Sequence, residues 1–197
     1  MGLRERKRLM AMQHIQQVAL KLFERYGYDA MTIEAIAKKA EVGTASVYRY
    51  FGTKDRIVTW DEADEGQVAC LLEQIATGQL ADALGRFAAV LDGADGEMRK
   101  RTLSRMSLIA DEPALTAQAA LNSARFGDAV AQAVAKRSGR RSASFKDHVA
   151  GRAVEALMRA AIEEWSRRKG RMRLARLVAE AIAATISELD VARSWRE

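Results

Sequence analysis

A single proline, a single cysteine and two histidines among 197 residues close off several kinds of protein before any motif is read. Lone Cys70 has no partner for an internal disulfide, and with only His14 and His148 beside it no zinc ligand set can be assembled. No metal or other cofactor is therefore expected, and a reducing, cytoplasmic setting fits best. The charged start MGLRERKRLMAM is followed by no apolar run long enough for a signal peptide or a membrane span, so no membrane partner is expected. There is no glycine-rich phosphate loop, no nucleophile with a matching base and no metal-ligand spacing, which argues against an enzyme.

With aromatics at 6% and few β-branched residues, sheets have little to build on. Apolar residues still make up 49% of the chain, enough for a sizeable core, and Ala, Leu, Arg and Glu are abundant. The expected class is all-α, with about nine helices. Charge is distributed unevenly: residues 1–60 hold 11 Lys/Arg against 6 Asp/Glu, whereas residues 61–197 hold 21 against 20. The basic block at the front points to a polyanion partner for that block.

Between Arg4 and Tyr26, Ile15, Val18, Ala19, Leu22 and Phe23 recur at helical spacing, and Gly27 stands where a left-handed cap would. Thr32 is a good N-cap for 33-IEAIAKKA-40, whose Ile33, Ile36, Ala37 and Ala40 share one face. A helix from about Thr44 to Tyr50 follows, and Lys54 then opens a long helix toward Ala76. Further helices are expected near 79–92, 96–110, 113–137, 145–169 and 171–190, separated by glycines and by Asp111-Glu112-Pro113.

The stretch 44-TASVYRYFGTKD-55 is too short to be a stable helix alone, so Val47 and Phe51, one turn apart, must be pinned against the two preceding helices. That leaves Thr44, Ala45, Ser46, Tyr48 and Arg49 outward, a face small enough at one end to enter a major groove. Two short helices joined by a tight turn, the second exposing polar side chains, make a helix-turn-helix. Lys54, a cation at the first position of a helix, opposes the helix dipole unless an anion sits nearby. A backbone phosphate, held also by the Thr53 cap, would supply one; a lysine extended into solvent beside Asp55 is an equally good account.

The run 32-TIEAIAKKAEVGTASVYRYFGTKDRIV-58 resembles the DNA-binding signature of the tetracycline-repressor (TetR) family of bacterial regulators. The resemblance covers roughly residues 10–60 and implies that Thr32, Tyr48 and Lys54 touch phosphates while Thr44, Ala45, Ser46 and Arg49 lie at or near base edges. Two positions depart from the usual pattern: Glu41 stands where glycine commonly makes the turn, and Gly43 where serine commonly caps the recognition helix. The implied organisation is a DNA-binding domain over 1–55 and a helical ligand-binding and dimerisation domain over 56–197.

In the larger part, 103-LSRMSLIADEPALTAQAAL-121 and 156-ALMRAAIEEW-165 are similar to C-terminal domains of a subgroup that includes the mycofactocin-associated regulators. That resemblance implies an acyl thioester or another hydrophobic effector. Phe87, Met106, Asn122, Arg125, Phe126, Met158 and Trp165 are the candidate effector-pocket residues, each also a good core or surface residue. Val154, Leu157, Ala161, Leu174, Val178, Ala181, Ile182 and Thr185 recur at spacings of three and four on the last two helices and form the candidate dimer surface, unless they cover the chain's own core. One short helix reads few base pairs, so useful affinity calls for two half-sites about 34 Å apart on a palindromic operator. The basic loop 136-KRSGRRSASFK-146 reads as a solvated segment, with a phosphate grip as the sharper alternative. The expected function is a homodimeric, effector-released repressor; the alternatives are an architectural DNA-binding protein without effector and, further off, a helical enzyme.

Overall fold

A computed structural model describes residues 2–60, 62–93 and 96–189, with backbone only at 62–66, 188 and 189. Ten α-helices occupy these residues: α1 Leu3–Tyr26, α2 Ile33–Lys39, α3 Thr44–Phe51, α4 Lys54–Thr59, α5 Glu62–Thr77, α6 Leu80–Asp92, α7 Gly96–Asp111, α8 Pro113–Arg137, α9 Phe145–Arg167 and α10 Leu174–Leu189. The class is all-α, and no strand occurs among the described residues. No helix among them is long and apolar enough to cross a membrane.

The helix expected from Lys54 toward Ala76 is broken at Trp60, whose backbone is extended (φ −67°, ψ 129°). Two contacts account for the break. Gln16, buried on α1, donates to the carbonyls of Ile57 (2.8 Å) and Trp60 (2.7 Å), satisfying acceptors that a continuing helix would otherwise use. The Trp60 ring meets Phe51 edge-on with centroids 5.8 Å apart. At its other end, the last helix begins at Leu174 rather than 171, and residue 190 of the expected span lies outside the described residues.

The chain divides into two compact units, residues 1–65 with 100–119, and residues 66–99 with 120–197. The first unit therefore takes in α4 and parts of α7 and α8, beyond the 1–55 segment that carries the DNA-binding signature. Its core joins Met12, Ile15, Ala19, Leu20 and Phe23 of α1 to Ile33, Ile36 and Ala37 of α2, Val47 and Phe51 of α3, Ile57 and Val58 of α4, and Leu115 of α8. Helices as short as α2, α3 and α4 hold their shape through this shared core rather than through propensity.

In the second unit α10 packs against α6 and α9. Asp92 at the end of α6 caps α10, accepting from the backbone N–H of Leu174 (2.6 Å) and Ala175 (3.0 Å). Helices α8 and α9 cross at Gly127 and Gly151, where a Cβ on Gly151 would stand 2.1 Å from the Gly127 carbonyl oxygen. In this unit Val154, Ala161, Leu174 and Val178 are buried, so half of the candidate dimer stripe is core of the chain itself. Leu157, Ala181, Ile182 and Thr185 are half-buried. The outward faces carry a different stripe: Val149, Ala153, Ala156 and Ala160 on α9, with Ala179, Ala183 and Ile186 on α10.

Nor is the 136–146 loop simply solvated. Arg140 forms a two-pronged pair with buried Asp147 on α9, and Asp147 also accepts from the backbone N–H (2.7 Å) and hydroxyl (2.6 Å) of Ser144, which caps the helix. Arg140 first, then Ser144, holds the Asp147 carboxyl well below the usual carboxylate range. A carboxylate whose pKa is depressed on folding contributes stability that is complete above its unfolded value, about 4, and is lost as pH falls through the folded value. Asp147→Asn is therefore expected to melt earlier than the parent by a constant margin above about pH 5, the margin narrowing below about pH 4; thermal melts across that range check it, and a pH-independent margin would contradict it.

Candidate nucleic-acid interface

The α2–α3 turn needs one left-handed residue, and Glu41 takes that conformation (φ 55°). A non-glycine residue there costs on the order of 1 kcal/mol. Gly43 is the N-cap of α3, which starts at Thr44, and Gly43 leaves the first amides open instead of bonding them with a side chain. Thr32 and Thr53 cap α2 and α4 as their positions predict, accepting from Ala35 N (3.2 Å) and Arg56 N (3.3 Å). Each cap uses a threonine oxygen as acceptor and leaves the hydroxyl proton to donate elsewhere.

With Val47 and Phe51 turned into the core, α3 presents Ala45, Tyr48 and Arg49 to solvent, Thr44 and Ser46 at the margin. Tyr48 is 47% exposed. The Arg49 guanidinium stacks on the Tyr50 ring, 5.0 Å from its centroid, and donates to Ser46 Oγ (3.3 Å) and Tyr50 Oη (3.4 Å). A long cation held in this way loses less side-chain freedom when it meets a partner. All seven residues read as DNA-contacting keep accessible surface: Thr32, Ala45, Tyr48 and Arg49 are exposed, and Thr44, Ser46 and Lys54 half-buried.

Lys54 differs in the contacts its cation makes within the chain. Its ammonium donates to the Tyr28 carbonyl (2.9 Å) and sits 4.0 Å from the centroid of the Tyr28 ring. The Tyr28 hydroxyl in turn donates to Asp55, and burial, then Asp55, pushes the Tyr28 phenol well above its ordinary range. The cation at the start of α4 is thus offset inside the chain by a carbonyl and a ring face. It neither extends into solvent nor waits unpaired for a phosphate.

Sequence reasoning passed over Glu34. Its carboxylate accepts from the Tyr48 hydroxyl at 3.1 Å, and its own backbone N–H, Tyr48 and Thr32 together hold it below the usual range. The Tyr48 hydroxyl, which the family resemblance assigns to a phosphate, is therefore engaged by a carboxylate of the chain itself. Gln16 and Arg105 were also missed: Arg105, 4% exposed on α7, donates through Nε to the Val58 carbonyl at 3.0 Å. Gln16 and Arg105 thus grip the C-terminal end of α4, as Tyr28 grips its start.

The effector-pocket candidates lie in different settings. Asn122 and Arg125 are exposed, Phe87 and Phe126 half-buried, and Met158 and Trp165 buried in the second unit; Met106 is half-buried in the first. None of them lines the two surface clefts found near the α9–α10 turn. No group of three or more His, Cys, Asp or Glu residues among the described residues is arranged to hold a metal ion.

Comparison with known proteins agrees with this geometry. Residues 15–59 match the family described as bacterial regulatory proteins, tetR family, and residues 77–190 match the MftR C-terminal domain. A protein named as a mycofactocin biosynthesis transcriptional regulator, MftR, from Mycobacterium tuberculosis (strain ATCC 25618 / H37Rv) is 28% identical over 164 residues, covering 82% of this chain and 83% of that protein. The HTH-type transcriptional regulator TcmR of Streptomyces glaucescens is 30% identical over 149 residues, 70% of this chain and 65% of that one. Among solved structures, the SmeT–triclosan complex has a TM-score of 0.57 at 19% identity, covering 89% of this chain and 91% of that chain. FadR of Thermus thermophilus, a TetR family repressor in complex with lauroyl-CoA, has a TM-score of 0.54 at 20% identity, covering 87% and 91%. These relatives are regulators rather than enzymes, and the chain belongs to the TetR family of bacterial transcriptional regulators, with a C-terminal domain of the MftR type.

Proposed function

We propose that the protein is a homodimeric repressor that leaves a palindromic operator when a hydrophobic small molecule binds its C-terminal domain. DNA binding and response to small ligands are the family's trade; the dimer, the effector class and the residue roles are our reading. The observation that carries it is the two-sidedness of α3, buried through Val47 and Phe51 and open through Tyr48 and Arg49. In this reading Tyr48 turns its hydroxyl from Glu34 to a backbone phosphate on docking and Thr32 donates to another, while Thr44, Ala45, Ser46 and Arg49 face base edges. Lys54 keeps α4 in place and lends the phosphates only what its Tyr28 contacts leave over.

For the dimer, the outward stripe of alanines on α9 and α10, with exposed Val149 and Ile186, offers close helix packing against a second copy. Support for a hydrophobic effector comes from the MftR-type domain and from the fold shared with proteins that hold lauroyl-CoA and triclosan. An acyl thioester is the finer form of that proposal. An effector would favour a conformation in which α4 swings and the two recognition helices lose the groove spacing.

The test is selection of duplexes from a random pool, followed by titration of the selected site. Tyr48→Phe is expected to weaken binding to all duplexes alike, by about fivefold to tenfold for one lost hydrogen bond. Arg49→Ala is expected to change which sequences are selected, because a base-edge contact is worth about 1–3 kcal/mol of discrimination. Parent-like affinity and selection in both variants would rule out this docking face.

A further inference from the structure

The turn between α9 and α10, 167-RRKGRMRLAR-176, packs six cations into ten residues, and Arg99 reaches the same place from α7, donating to the Asp92 carbonyl at 3.1 Å. Three carboxylates answer them. Glu164 takes both Arg167 and Arg168, Asp92 lies 3.7 Å from Arg173, and Glu180 accepts from Arg176 at 2.9 Å. The side chains of Lys169 and Arg171 meet no carboxylate among the described residues. They are nonetheless brought together: Lys169 and Gly170 are both left-handed (φ 53° and 66°), which turns the chain so that Lys169 and Arg171 line one cleft.

That cleft, about 360 Å³, is walled by Arg167, Arg168, Lys169, Arg171 and Met172. A second of the same volume shares Arg171 and Met172 and adds Arg99, Arg173 and one acidic residue, Asp92, which is already engaged by the α10 amides and faces Arg173. Both clefts are shallow and open to solvent, and the cations gathered along them repel one another, a repulsion that a bound anion relieves. Guanidinium forks match phosphate oxygens in pairs, and a lysine adds a point charge. No aromatic residue lines either cleft, so recognition rests on charge rather than on stacking. We propose that the α9–α10 turn is a binding site for a small molecule bearing two or more phosphate groups. This proposal uses residues of the second unit alone and does not rest on the operator-binding reading.

The test titrates the full chain with tripolyphosphate and with orthophosphate, by calorimetry at physiological ionic strength. The parent is expected to bind tripolyphosphate saturably and orthophosphate far more weakly. Lys169→Ala/Arg171→Ala is expected to weaken tripolyphosphate binding by about tenfold or more, with an unchanged melting temperature because neither side chain has a partner to lose. Lys136→Ala/Arg141→Ala removes the same charge from the α8–α9 connection and is expected to bind like the parent. The proposal fails if the two double variants lose affinity equally, since net charge alone would then account for binding, or if the parent does not saturate. It also fails if Lys169→Ala/Arg171→Ala lowers affinity for duplex DNA as much as for tripolyphosphate, which would make the turn a DNA contact.

Discussion

Gly151→Ala is expected to destabilise the protein by about 3 kcal/mol, at the upper end of what overpacking a core costs. Helix propensity predicts the opposite sign, because alanine in mid-helix is favoured over glycine by about 1 kcal/mol. The crossing of α8 and α9 decides between them. An added Cβ would lie 2.1 Å from Gly127 O and 3.1 Å from Ala131 N, both backbone atoms, so no side chain can swing aside and the helices must separate. Gly85 in α6 is the internal control, since a Cβ there meets nothing within 4 Å. Gly85→Ala is expected to raise the melting temperature by a few degrees, and Gly151→Ala to lower it by about 6–12 °C, as a chain of this size converts free energy to temperature. A Gly151→Ala melt at or above the parent's would show that the two helices do not approach as closely as described.

The same crossing marks a limit of reading sequence. The 3.6-residue period identifies which residues of α9 share a face, but not which neighbour covers that face. Val154 and Ala161 recur as a dimer stripe should, and are buried against the chain's own helices, while the alanines between them stay outside. The helix-turn-helix was legible for a different reason. Its signals are local: a Thr32 cap, two helices too short to stand alone, and an apolar pair one turn apart on α3. The unfavourable place of Lys54 at a helix start called for an anion nearby, and within the chain a carbonyl and a ring face stand there instead. That the partner is Tyr28, 26 residues earlier, is a tertiary fact with no local mark. The break at Trp60 was hidden likewise, because the donor that ends α4 is Gln16 on another helix.

Arg105→Ala is expected to cost about 3 kcal/mol and to weaken DNA binding even where the protein remains folded. The stability loss has two sources: the space left by a long buried side chain, and a Val58 carbonyl deprived of its charged donor. The functional loss follows from what α4 is. With six residues it cannot set its own direction, and its carbonyl end is aimed by Gln16 and Arg105 while its amino end is aimed by Tyr28. Since α3 packs directly on α4, loosening one end of α4 loosens the platform under the recognition helix. A purely structural role for Arg105 predicts that DNA affinity falls only by the unfolded fraction, which is negligible well below the melting temperature. A positioning role predicts a loss that persists at low temperature and is partly recovered in Arg105→Lys, which restores a buried cation. DNA affinity measured at least 20 °C below each variant's melting temperature, about the margin that makes unfolding negligible, separates the two; parent-like affinity in folded Arg105→Ala would leave Arg105 as a core residue and nothing more.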